Sequence, residues 1–86
     1  MNKMTELIDS YLAEINFQIE EEEADLKGAF KKIEQLAQVA WANDVDMTHQ
    51  IERQIVVLHT TRNNLDRLHG DRKMLEKLRK EWENDG

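Results

Sequence analysis

Eighty-six residues, 40% hydrophobic and 35% charged, with a net charge of −6 and neither proline nor cysteine, leave room for one small domain with a narrow interior. The composition excludes disulfides, thiol nucleophiles and thiolate metal sites, and it removes the strongest helix breaker. No apolar run approaches the ~18 residues of a membrane span, and Glu6 and Asp9 follow soon after Lys3 where a secretion signal would be basic and then apolar, so a cytoplasmic location is expected.

From Ile8 to Ala40 the chain follows a heptad repeat. Leu12, Ile19, Leu26, Ile33 and Ala40 hold one seam position; Ile8, Ile15, Glu22, Ala29 and Leu36 hold the other. This periodicity predicts a first helix over about residues 3–42, with Glu6 and Asp9 suiting the positive end of its dipole. Gly28, inside the repeat and next to Ala29, reads as a close-packing position. Residues 43–46, Asn-Asp-Val-Asp, concentrate turn-forming and capping side chains, and either Asp44 or Asp46 can accept from free amides of a following helix.

A second apolar stripe, Met47, Ile51, Ile55, Leu58, Leu65, Leu68, Leu75, Leu78 and Trp82, predicts a second helix over about residues 47–84. Thr61 and Arg72 interrupt its two seam rows, so it is thinner than the first. His69-Gly70-Asp71 lies where the apolar residues change rows. A helix continuous through this point, straight or kinked at 69–71, ranks ahead of a break at Gly70 that would give three helices.

The expected fold is therefore all-α: a single domain over residues 1–86, an antiparallel, coiled-coil-like helical hairpin. With the turn near residue 45, facing residues have numbers that sum to about 90. Ile8 then meets Trp82, Leu12 meets Leu78 and Ile15 meets Leu75. Charge supports the pairing, because residues 1–46 hold four lysines against eleven acids, net −7, whereas residues 47–86 hold eight Lys or Arg against seven acids, net +1. The run Glu20, Glu21, Glu22 and Glu23 falls opposite Arg67, His69, Arg72 and Lys73. Glu22 sits in the seam, where an isolated carboxylate is costly, so Arg67 or Arg72 is its expected partner, and Glu20, Glu22 and Glu23 against Arg67, Arg72 and Lys73 are expected to set the register.

Apolar residues also spill beyond the seam. Met4, Leu7 and Tyr11 form a second row beside Ile8, Leu12 and Ile15, and Val56 and Val57 widen the stripe around Ile55 to Leu58, enough to dock further helices. A homodimer of hairpins forming a four-helix bundle is the first expectation, and a hetero-complex the second. Phe17, pointing away from the seam, is the best single candidate for a partner contact. Trp41 and Trp82, at the ends of the hairpin, read as lids on the core.

Little in the sequence asks for chemistry. Asp46-x-x-His49 and Asp66-x-x-His69 have the form of the acid-x-x-His pairs of di-iron bundles, but His49 and His69 stand about 30 Å apart along one helix. Glu20 and Glu23 lack the second acidic pair that a magnesium-dependent helical phosphohydrolase would need. There is no Gly-rich phosphate loop and no nucleophile elbow. Arg72, Lys73, Lys77, Arg79 and Lys80 form a basic segment, yet Asp71, Glu76 and Glu81 interrupt it and the overall charge is negative, which disfavours phosphate backbones. No catalytic, cofactor, metal or small-molecule site is expected. The leading functional reading is a non-enzymatic interaction module, such as a regulator, inhibitor, adaptor or assembly chaperone. A dimeric nucleic-acid-associated hairpin is second and an acid-rich, metal-dependent helical enzyme third.

Overall fold

A computed structural model describes residues 3–85, and over these the chain forms two helices, α1 (Lys3–Asn43) and α2 (Thr48–Asp85), packed against each other along their length. The hairpin is a rod of 65 × 15 × 13 Å. Its radius of gyration, 19.3 Å, far exceeds the ~12 Å of a compact chain of this length, so neither helix folds back on anything but the other.

The turn between them is built from local hydrogen bonds. At the end of α1, Asp44 adopts a left-handed conformation with φ of 51°. The Val45 N–H then reaches back to the Ala40 carbonyl at 3.2 Å, the six-to-one bond of a Schellman cap, while Asn43 Nδ2 donates to the Val39 carbonyl at 3.1 Å. Aspartate stands where glycine is usual, and its short polar side chain makes it one of the few residues that tolerate the position. At the start of α2 the Asp46 carboxylate accepts from both the Thr48 N–H and the Thr48 hydroxyl, satisfying one of the amides that a first helical turn leaves free. Of the two candidate capping aspartates, Asp44 thus closes one helix and Asp46 opens the next.

Along the seam, α1 buries Ile8, Ile19 and Ala29, and α2 buries Leu58, Leu65 and Leu68 together with the hydroxyl-bearing Thr61. The core centres on Ile19, Leu65 and Leu68, with Ile15 and Leu26 packed against them. This seam is what makes the helices pair, since burying it against a neighbour supplies the stability that a lone helix of this composition lacks.

The structure corrects several expectations. α2 runs without a break through Gly70, so the three-helix alternative falls; Leu68 and Leu75 hold the seam on either side, and their burial outweighs the ~1 kcal/mol that a mid-helix glycine costs relative to alanine. Gly28 is not a close-packing position within the hairpin, because a Cβ there would meet nothing within 4 Å. Leu78 lies outside the seam and is exposed, while Arg79 is half-buried in its place. The seven-residue row that starts at Ile51, Leu58 and Leu65 leads to Arg72 and Arg79, one residue past Leu78. Trp41 is 92% exposed and caps nothing, since it follows the seam residue Ala40 by one position and so points about 100° away from it. Trp82, in the row of Leu68 and Leu75, is only partly covered.

The open space over Gly70 gives a direct test of helix continuity. Gly70→Ala should stabilise the protein by about 0.5–1 kcal/mol, read as a raised denaturant midpoint with unchanged slope. A loss of stability would show that the backbone at residue 70 needs glycine.

Candidate functional site

The long arginines of α2 fix how the helices align. Arg79 donates from Nε to Asp9 Oδ1 at 2.5 Å and from a terminal nitrogen to Oδ2 at 3.3 Å, a two-pronged contact across the hairpin, and it also pairs with Glu83 on its own helix. One heptad earlier, Arg72 donates to Asn16 Oδ1 at 3.2 Å and to His69 Nδ1 at 3.1 Å, and lies 4.0 Å from Glu76. Because arginine has no acceptor, His69 meets it with an unprotonated Nδ1. Both arginines occupy seam positions and reach sideways to put their charged heads at the rim. The two cross-helix pairs, 9 with 79 and 16 with 72, each sum to 88, two less than the turn alone suggests.

That shift moves the electrostatic contact away from the glutamate run. Glu22 is half-buried and Glu20 and Glu23 are exposed; among the described residues none of them forms an ion pair with Arg67, Arg72 or Lys73. At a sum of 88 the glutamate run lies level with residues 65–68, and two of those, Leu65 and Leu68, fill the seam. Glu22 faces the seam, and Glu20, Glu21, Glu23 and Arg67 are exposed without reaching one another. The cross-helix ion pair is Asp9 with Arg79 instead, nearer the open end.

The candidate contact residues do not form one patch. Met4 is half-buried, whereas Leu7 and Tyr11 are exposed near the open end. Val56, 64% exposed, and Val57 lie level with residues 31 and 32, about 30 Å away along the rod. Phe17, 60% exposed, projects from the back of α1. Three residues that were not singled out as contacts join Leu7 and Tyr11 at the open end: Met74, 63% exposed, with Leu78 and Trp82. By residue type Leu78 and Trp82 read as seam residues, whereas continuing the row of Ile51 and Leu58 by sevens reaches Arg72 and Arg79 and places Leu78 on the flank. Phe30 and Ile55 are exposed nearer the turn.

Chemically equipped groups are sparse. His49 and Glu52 approach to 3.9 Å on an exposed face, His59 is exposed, and no three His, Cys, Asp or Glu side chains among the described residues converge on a metal-sized site. Lys73, Glu76, Lys77 and Lys80 line a shallow, open depression on α2. No helix among the described residues is long and apolar enough to cross a membrane.

Two expectations follow from these contacts. Glu22 occupies the seam without an ion-pair partner, so Glu22→Leu should raise stability by about 1 kcal/mol in a chemical denaturation experiment; a marked loss would reveal a partner for the carboxylate. The Arg79 hydrogen bond holds the Asp9 carboxyl below its ordinary 3.8, and the Thr48 hydroxyl and amide do the same for Asp46. A lowered folded-state value means that the stabilisation is present above the unfolded-state value and disappears as pH falls through the folded one. The Tm advantage of wild type over Asp9→Asn should accordingly hold at pH 6 and shrink as pH falls below the ordinary carboxylate value of 3.8, and an advantage independent of pH would refute the role of the charged pair.

No protein-family model matches this chain, no curated protein matches it and no solved structure matches it, so the case for a function rests on the residues and their placement alone.

Proposed function

We propose that the protein is a non-enzymatic interaction module that acts by presenting a helical surface to a protein partner, as a regulator, inhibitor, adaptor or assembly chaperone would. The observation that carries this reading is the imbalance between covered and uncovered apolar side chains. Among the described residues six hydrophobic side chains are buried, while thirteen large ones, Phe17, Val56 and Met74 among them, stand exposed on a rod two helices wide. Apolar side chains left uncovered in this number on a thin rod mark surfaces that other proteins cover. The candidate contacts are Phe17, Leu7 and Tyr11 with Met4 beside them, and Val56 with Val57. The same proposal sets the protein in the cytoplasm, supported by the absence of cysteine.

A second reading, nucleic-acid association, has one feature in its favour: Lys73, Lys77 and Lys80 lie together along one side of α2. The uncompensated acids of α1 oppose it, since phosphate binders present a positive field.

Affinity capture from the native cell with the unaltered protein and with Phe17→Glu separates these readings. The first expects a protein retained in stoichiometric amount by wild type, bound again after purification, and bound at least about tenfold more weakly by Phe17→Glu. Recovery of nucleic acid at ~0.15 M salt, lost when Lys73, Lys77 and Lys80 are replaced by Glu, would instead favour the second reading and overturn the first.

A further inference from the structure

The contacts of the two seam arginines divide the hairpin into two flanks. Asp9, Asn16, His69 and Glu76 all meet Arg72 or Arg79, and so share one side. Advancing 100° per residue from these positions puts Leu7, Tyr11 and Glu21 of α1, and Arg67, Met74 and Leu78 of α2, on the other side. Its apolar members Leu7, Tyr11, Met74 and Leu78 are exposed toward the open end, and Val39 and Val57 are exposed on the same flank nearer the turn. Glu21 and Arg67 are level with each other, as their numbers sum to 88, and neither forms an ion pair among the described residues. Tyr11 and Leu78 are level within one residue. Gly28 lies on the same flank, level with Thr60, with nothing within 4 Å of where its Cβ would be.

We propose that a second copy of this chain docks on this flank, side by side and pointing the same way. The inference rests on the reading of the chain as an interaction module and names one partner for it. A two-fold axis running along the rod sets each α1 beside the other protomer's α2 at the same height. Tyr11 then meets the partner's Leu78, Glu21 meets the partner's Arg67, and the bare backbone at Gly28 admits the partner's Thr60 closely. Every contact occurs twice, as a closed two-fold interface requires, and the four helices form a bundle. Direction follows from charge: a copy pointing the opposite way would set α1 against α1 and bring Glu21, near the middle of the rod, up to the partner's Glu21. Charge singles out a second copy, because Glu21 of α1 and Arg67 of α2 stand level and unpaired in one hairpin, held apart by its own width, and so complement the same two residues of a copy.

Sedimentation equilibrium and spin-label distances test the proposal. Wild type should sediment at twice 10.2 kDa at about 10 μM. Glu21→Arg alone and Arg67→Glu alone should each weaken association about tenfold, and the two together should restore it, with helicity unchanged throughout by circular dichroism. Labels on Val45→Cys should lie within about 20 Å of each other, since neighbouring helices pack 8–10 Å apart; opposed hairpins would separate them by most of the 65 Å rod. A monomeric wild type, a dimer indifferent to the charge reversals, or widely separated labels would each overturn the proposal. A monomer that still binds a different captured protein would leave the interaction-module reading standing, whereas a dimer that binds nothing else would leave the second copy as its only partner.

Discussion

A helix with a single neighbour can bury only a narrow strip of its circumference, and both helices of this protein have a single neighbour. The strip is filled by Ile8, Ile19 and Ala29 on one side and Leu58, Leu65 and Leu68 on the other, and the rest of the rod faces solvent. Everything else in the structure follows from this limit. Apolar side chains one position off the seam, such as Leu78 and Trp41, become surface, and polar side chains in the seam, such as Arg72 and Arg79, remain tolerable because the rim lies within reach of their heads.

The arginines show how a thin core can still specify an alignment. Leucines in a seam slide past one another at modest cost, since one apolar layer resembles the next. A guanidinium that must find Asp9, or Asn16 and His69, has few satisfactory positions, and a slip of one heptad would leave it facing a different set of groups. Alignment thus rests on groups at the open end, and the turn end is held by its own caps, the left-handed Asp44 and the carboxylate of Asp46. The middle of the rod, where the acids of α1 crowd, is held by the apolar cluster of Ile19, Leu65 and Leu68 without electrostatic help from the glutamate run. The exposed charges left over are those that give the surface its two unlike edges.

Local signals in the sequence were clear where they concerned elements. The heptad from Ile8 to Ala40 and the Asn-Asp-Val-Asp turn announced a hairpin, and the structure is a hairpin. The site was less legible. Met4, Leu7 and Tyr11 are identifiable as a row beside the seam, but their neighbour at the open end, Leu78, is hidden because an apolar residue within one step of a seam row is indistinguishable by type from a seam residue. Glycines misled in the same way. Gly28 and Gly70 each stand in open space, and residue identity does not say whether a missing side chain admits a neighbour or simply faces water.

The sequence by itself determined that the chain is helical, where it turns, and which stripe α1 buries, because those depend on periodicities of three to four residues and on capping groups that act within one turn of helix. Only the tertiary structure decided which charges meet. Two residues of difference in alignment, 88 against 90, change the partner of every long side chain along the interface, and that difference depends on the drift of the seam and on where Arg72 and Arg79 find hydrogen bonds. Pairings between residues 56 and 70 positions apart reflect the sum of all layers between them, so no local pattern encodes them.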